Sequence, residues 1–412
     1  MKRFPVHWAW IILGTSFINL FINYSIRLGY GIVLPEMIKN LGFSRTDVGS
    51  IYNAYLLTYI LLTPFTGFLT DQVGARRVIT LSSFVLGTGV LLMGTVKTVW
   101  VGCIYFAIVG LGATGMWTPI ITVVQHWFIP KRRGLALGII STGYGLGFAT
   151  MGAVFPWIIS NFSWRHTWYF LGLGALSMVI VNGLLLRSDP YSVGLYPWGH
   201  KEVSNRDKSN NKTKQYNDRS WFFQILKSKA FWVIGLSYFS VSYCLYGITT
   251  FMVDYARYQM NLSVEKASLL ASIHGLGQIL GVITILPLSD YLGRRNTLII
   301  SNVFITICMI GIILNEGSWK MLYVLIGILA IFYGVTFPLY GACAGDYFPK
   351  NIMATVIGAW TPFYGAGAIM VHWISGILRD LTGRYEYAFV IDAAMATIAL
   401  ILISIIKDKN RE

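Results

Sequence analysis

Apolar stretches of helix-spanning length alternate with short polar breaks along the whole chain. The first half places them at 8–34, 48–70, 78–96, 101–128, 135–159 and 167–186. After a polar stretch they resume at 231–255, 265–289, 297–314, 321–347, 353–378 and 387–406. At a rise of about 1.5 Å per residue, helices of this size cross a hydrocarbon layer about 30 Å thick. The run of ten-residue segments with alternating polarity that marks a membrane barrel does not occur, and lipid leaves no other way to satisfy the backbone. The pattern predicts an all-α membrane protein with twelve transmembrane helices in two six-helix bundles, 1–187 and 231–412. Residues 188–230, rich in Lys, Asn, Asp and Ser, read as a cytoplasmic linker, flexible apart from a surface helix near 221–229.

Composition agrees. Of 412 residues 55% are hydrophobic and 12% charged, where a soluble domain carries roughly a quarter charged. The net charge of +15 would suggest a nucleic-acid partner in a soluble chain. Here the basic residues gather in alternate loops, among them Arg76-Arg77, Lys131-Arg132-Arg133 and Arg294-Arg295, which is a topological signal placing both termini in the cytoplasm. Lys2 and Arg3 precede an apolar run too long for a signal peptide and without a small-residue cleavage site, so the first segment reads as an uncleaved span. Cys103, Cys244, Cys308 and Cys343 stand singly in apolar spans and imply neither disulfide nor metal. With no phosphate-cradling loop, zinc spacing or nucleophile elbow, no enzyme and no cofactor is expected.

Chemistry concentrates in a few positions. Asn19, Asn23 and Arg27 recur every four residues in the first span and form a polar stripe on an apolar rod. A guanidinium at that depth costs between about 3 and more than 10 kcal/mol unless water, a partner or a ligand receives it. Arg27 is therefore the leading substrate-binding candidate, its fork suited to a carboxylate, with outward snorkelling as the structural alternative. His274 and Gln278 lie one turn apart in the eighth span, and His274 is the candidate for proton coupling. Asp254 and Asp392 read as nearer the outer ends of their spans. Mid-span aromatics on helices expected to line a cavity are Tyr55, Trp117, Tyr144, Tyr243, Tyr246, Tyr333 and Tyr364, with Tyr24 and Tyr52 weaker.

The halves repeat. Asp71-Gln72-Val73-Gly74-Ala75-Arg76 falls on Asp290-Tyr291-Leu292-Gly293-Arg294-Arg295, 219 residues later, between the second and third spans of each half. With a further shift of one residue, Gly138, Tyr144, Gly145 and Gly147 fall on Gly358, Tyr364, Gly365 and Gly367. A parallel repeat of two six-span bundles is the plan of a rocking transporter with a midplane site. The run from Gly67 through Asp71 and Gly74 to Arg76-Arg77 resembles the signature loop of the major facilitator superfamily, and Asp290, Gly293 and Arg295 form its second copy. With Arg133 these residues are expected to serve gating, closing one side of the bundle.

The stretch 127–138, followed by Gly143-Tyr144-Gly145-Leu146-Gly147, and Ser163-Trp164-Arg165 before the sixth span, is similar to the monocarboxylate transporter and oxalate:formate antiporter branch. The resemblance implies that a first-helix cation at about Arg27 meets the substrate carboxylate. It also implies an arginine in the eighth helix, but 277–289 contains no cation; the eleventh offers Trp360, Tyr364 and His372 in place of the exchangers' lysine. The expectation is a monomeric secondary transporter in the cell membrane that moves a small organic anion, a monocarboxylate, by proton symport. Anion exchange is the alternative, and a membrane-embedded sensor is the reading from another class.

Overall fold

The computed structural model describes residues 7–199, 226–315, 317–348 and 353–406. Twelve membrane-length helices occur among them: α1 (Trp8–Leu41), α2 (Arg45–Val73), α3 (Ala75–Met93), α4 (Val99–Trp127), α5 (Pro130–Asn161) and α6 (Trp164–Leu185), then α7 (Lys229–Tyr258), α8 (Val264–Leu292), α9 (Arg294–Ile313), α10 (Trp319–Tyr347), α11 (Met353–Thr382) and α12 (Glu386–Ile405). The tails at both ends lie outside the described residues. So does 200–225, which holds most of the expected linker and much of the expected surface helix.

Local chemistry ends the helices where it should. Ser44 and Asp47 form a reciprocal capping box at the start of α2, and Gly42 closes α1 with φ +70°. The turns into α3 and α9 are a matched pair. Gly74 has φ 88° and ψ 141°, and Gly293 has φ 83° and ψ 140°, a combination essentially reserved for glycine. The repeat seen in the sequence is thus also a repeat of backbone geometry. Space is not the constraint at Gly74, since an added Cβ would meet nothing closer than Ser188 Oγ at 3.5 Å. Gly74→Ala is expected to cost about 1–3 kcal/mol through backbone strain alone, read as a lower thermal midpoint of the purified protein.

One expected span is interrupted. The segment predicted as a single helix over 101–128 breaks at a 3₁₀ turn, Thr114–Met116. Gly112 and Gly115 there let α4 lie directly against Leu86 and Ser82 of α3, so the break accompanies unusually close packing. The chain after α6 also differs from a free tether. Trp127 Nε1 donates to the Arg187 carbonyl at 2.8 Å, Trp198 N donates to the Trp127 carbonyl at 2.8 Å, and the Trp198 ring packs on Trp10 and Phe128. The first dozen residues of the expected linker are pinned to the N-terminal bundle by these aromatics.

The bundles meet along three helix pairs, α1 with α7, α2 with α11 and α5 with α8. Small residues allow it: an added Cβ would come within 2.9 Å of the Thr250 carbonyl at Gly31, 2.7 Å of the His372 carbonyl at Gly49 and 2.5 Å of Ala149 N at Gly275.

Candidate functional site

The polar stripe of α1 does not act as one unit. Successive members four residues apart drift by about 40° around a helix of 3.6 residues per turn. Asn19, at one end, turns into its own bundle, where it exchanges hydrogen bonds with Asn182 of α6 at 2.7 and 2.9 Å beside Ser83 of α3. Asn19 is interhelical glue. Arg27, at the other end, faces the opposite bundle. Asn23 lies between, buried, its amide oxygen without a hydrogen-bond partner among the described residues.

Arg27 sits in a cage of tyrosines. Its Nη2 donates to the Tyr246 hydroxyl of α7, and its guanidinium carbon is 5.4 Å from the ring centre of Tyr59, 5.7 Å from Tyr246, 5.8 Å from Tyr24 and 5.9 Å from Tyr55. Tyr52 donates to the Arg27 carbonyl at 3.1 Å. Cation–π attraction and one hydrogen bond to a neutral hydroxyl offset part of the desolvation, but neither supplies a counter-charge. Among the described residues no carboxylate lies within ion-pair distance, and Arg27 Nε and the Tyr55 hydroxyl are buried without partners.

The site lies on the repeat. Arg27 and its partner Tyr246 are 219 residues apart, the same separation as the two signature loops. Tyr55 and His274 are related in the same way, and so are Tyr59 and Gln278. The position equivalent to Arg27 in the second half therefore carries a phenol, which accounts for the single cation.

Around this centre the two bundles supply further rings. Tyr144 packs on Tyr24 and on Trp117, with ring centres 3.8 and 5.2 Å apart. Tyr364 packs on Tyr246 at 5.7 Å and Tyr333 on His274 at 4.9 Å. Arg27, Tyr24, Tyr59, Trp117, Tyr144, Tyr333 and Tyr364 remain partly accessible. His274 is fully buried. The Gln278 amide donates to its Nδ1 at 2.9 Å, which leaves the ring proton on Nε2, facing Thr249 Oγ1 at 3.4 Å.

The structure brings Arg27, Tyr55, Trp117, Tyr144, Tyr246, His274, Gln278, Tyr333 and Tyr364 to one region, with Asn23 one turn along α1. Tyr243 is a correction. It stands about 60° around α7 from Tyr246 and lies beside Asp392 of α12, which packs flat on Gly247. Tyr59 was missed, although Tyr52, Tyr55 and Tyr59 share one helical face and that spacing was readable. His372 also has a larger part than its place on the eleventh span suggested. It bridges the bundles, with Nδ1 2.8 Å from Asn53 Oδ1 of α2 and Nε2 2.9 Å from Thr250 Oγ1 of α7.

At one end of the molecule the bundles are tied by charge. Arg45 Nε meets Asp254 at 3.1 Å, and Tyr385 donates to the same carboxylate at 2.6 Å. Arg257 meets Glu36 at 2.8 Å. Asp380 accepts the Arg45 and Thr46 backbone N–H groups at 2.9 Å each, capping the N-terminus of α2 from the other bundle. The signature loops lie at the opposite end, and among the described residues no ion pair joins the two bundles there. Asp71 and Arg77 are exposed, as is the second-copy Asp290, which among the described residues forms one ion pair, a 3.8 Å contact with Arg294. Arg76 donates to the Gly183 carbonyl, Arg133 to those of Gln125 and Phe128, and Arg295 to that of Ser404, all within their own bundles. Gly67 and Gly74 shape only the local chain.

The Major Facilitator Superfamily profile matches residues 16–265 and 235–412. The chain belongs to this superfamily. Similar proteins include a probable hexose phosphate transport protein of Chlamydia pneumoniae (21% identical, covering 98% of this chain and 92% of that one) and a probable galactarate/D-glucarate transporter of Escherichia coli (23%, 95% and 91%). The hexuronate transporter of Bacillus subtilis is 22% identical, with 92% and 90% covered. Among solved structures, a bacterial homologue of the lysosomal transporter Spinster, inward-facing and unoccupied, superposes with TM-score 0.77 at 16% identity over 98% of this chain and 97% of that one. The nucleoside transporter NupG gives 0.75 at 14% identity, with 97% and 98% covered. This superfamily member is a multi-pass membrane transporter, not an enzyme. The first three of these relatives carry names of sugar acids and sugar phosphates, so the narrower resemblance to monocarboxylate and oxalate carriers is not the one they support.

Proposed function

We propose that this transporter carries a monoanionic polyhydroxy acid of the hexuronate kind by alternating access, binding it between the bundles at Arg27. The observation that carries the reading is one guanidinium without a counter-ion inside a cage of phenols. A single carboxylate neutralises a single cation bidentately, and hydroxyls on the ligand match the Tyr55 hydroxyl and the Asn23 amide oxygen that lack partners. A plain monocarboxylate would leave those polar atoms unanswered. A sugar phosphate, the class named for some relatives, brings close to two charges, and the repeat places Tyr246 where a second cation would stand.

The basic short loops orient both termini to the cytoplasm, so the charge-tied end faces outward and the site opens inward. In the proton-coupled form of this reading, His274 is the titratable group beside the cage. Exchange against internal anion is the second mode.

Uptake into proteoliposomes of labelled hexuronate, aldarate, sugar phosphate, lactate and neutral hexose, with and without a pH gradient, tests the proposal. Hexuronate is expected to be preferred; preferred uptake of the neutral hexose or of lactate would refute it. Asn23→Leu is expected to weaken hexuronate about tenfold, the order of one buried hydrogen bond, while leaving the weak uptake of lactate unchanged.

A further inference from the structure

Away from the central site, a groove of about 900 Å³ opens where α3 and α6 reach the chain after α6. Arg76, Arg77 and Arg187 line it, with Ser188 and Ser192 at its rim. Asp189 is the one carboxylate among the described residues of the lining, and its Oδ2 accepts the Ser192 backbone N–H at 3.2 Å. No arginine of the three pairs with a carboxylate among the described residues. Arg76 and Arg187 each donate to a main-chain carbonyl, of Gly183 and Leu186, which fixes their stems and leaves their charge unanswered.

The other half of the groove is apolar. Leu81 and Phe84 of α3 are 58% and 52% exposed, and Ile180 and Leu184 of α6 continue the same apolar surface. The cationic rim sits at the very ends of the two helices, with the apolar surface running from it along both. This is the order of groups in a membrane lipid, with an anionic head at the interface and acyl chains along the span.

We propose that this groove binds the phosphodiester headgroup of an anionic phospholipid, its acyl chains lying against α3 and α6. The leaflet, cytoplasmic, rests on the orientation proposed above; the site itself does not. A soluble phosphate would use the arginines but has no use for the apolar wall.

Purified full-length protein in neutral detergent, titrated with phosphatidylglycerol or phosphatidylcholine and followed by native mass spectrometry and thermal midpoint, tests this. Phosphatidylglycerol is expected to remain bound and to raise the midpoint, while phosphatidylcholine does neither. Arg187→Gln is expected to weaken phosphatidylglycerol about fivefold, the share of one basic residue near a membrane surface. Ser192→Glu adds a carboxylate at an exposed rim position, giving up only the hydroxyl's hydrogen bond to the Asp189 carbonyl, and is expected to weaken it similarly. Equal retention of the two lipids, or wild-type binding by both variants with unchanged circular dichroism, would overturn the proposal. Displacement of the lipid by equimolar glycerol phosphate would also overturn it, by assigning the groove to a soluble ion.

Discussion

Arg27→Gln is expected to abolish hexuronate uptake while the protein purifies folded, with a thermal midpoint no lower than that of the wild type. The two halves of that result have one cause. Removing an interior cation that has no counter-ion removes a desolvation cost that its ring contacts and its hydrogen bond to Tyr246 offset only in part, so the empty protein loses no net stability; a group held for binding often destabilises the fold that carries it. The ligand loses its charge-assisted contacts, about 3 kcal/mol or more, which corresponds to a weakening of at least about a hundredfold. Arg27→Lys keeps the charge but loses the planar fork, and an intermediate loss is expected. An arginine that merely snorkels would give the opposite pattern, with uptake retained and stability reduced. Proteoliposome uptake and a melting curve on the same preparation separate the two.

Arg45→Ala is expected to open the charge-tied end. Asp254 is fully buried, with Arg45 and the Tyr385 hydroxyl as its partners, and Arg45 comes from the other bundle. Removing the arginine strands a buried carboxylate, a penalty of about 3 kcal/mol or more. It falls on the conformation in which the two bundles touch at that end, because separation returns the carboxylate to water. A shift of about a hundredfold in the balance of conformations follows. Spin labels at Asn40 and Arg384, both exposed near that end, should report a longer distance in the variant. Adding Asp254→Asn removes the stranded charge and should restore most of the short-distance population. If the double variant stays as open as the single one, the effect is not electrostatic.

The twelve helices, the repeat and the lone cation were readable because each depends on periodicity within one segment. Lipid leaves few alternatives for an apolar run of this length, and the two signature loops carry their glycines at the positions the backbone requires. What was not readable depends on angle or on docking. Asn19 and Arg27 share a stripe, yet their drift around α1 sends one into its own bundle and the other across to the second. A step of about 60° likewise separates Tyr246, in the cage, from Tyr243, outside it. The ties at the closed end join residues such as Arg45 and Asp254, 209 positions apart, and no local pattern announces them. The signature loops were expected to close their end of the bundle, but in a rocking molecule one end parts as the other meets, and here the opposite end is the one joined. The resemblance to the monocarboxylate and oxalate branch goes unconfirmed for a related reason. The quoted motifs lie in loops and glycine-rich faces that serve helix packing, which transporters of different anions need alike, while the cage that would distinguish them is assembled from both halves.

Equilibrium binding to the detergent-purified protein tests the central claim most directly, with Trp117, packed on Tyr144, as the intrinsic fluorophore beside the cage. A hexuronate, its neutral hexose counterpart and lactate are titrated into wild type and Arg27→Gln. Saturable quenching by the hexuronate is expected in wild type, with binding weaker by about a hundredfold for the hexose and loss of the hexuronate preference in Arg27→Gln. Equal binding of hexose and hexuronate by wild type, or an unchanged hexuronate affinity in Arg27→Gln, would contradict it.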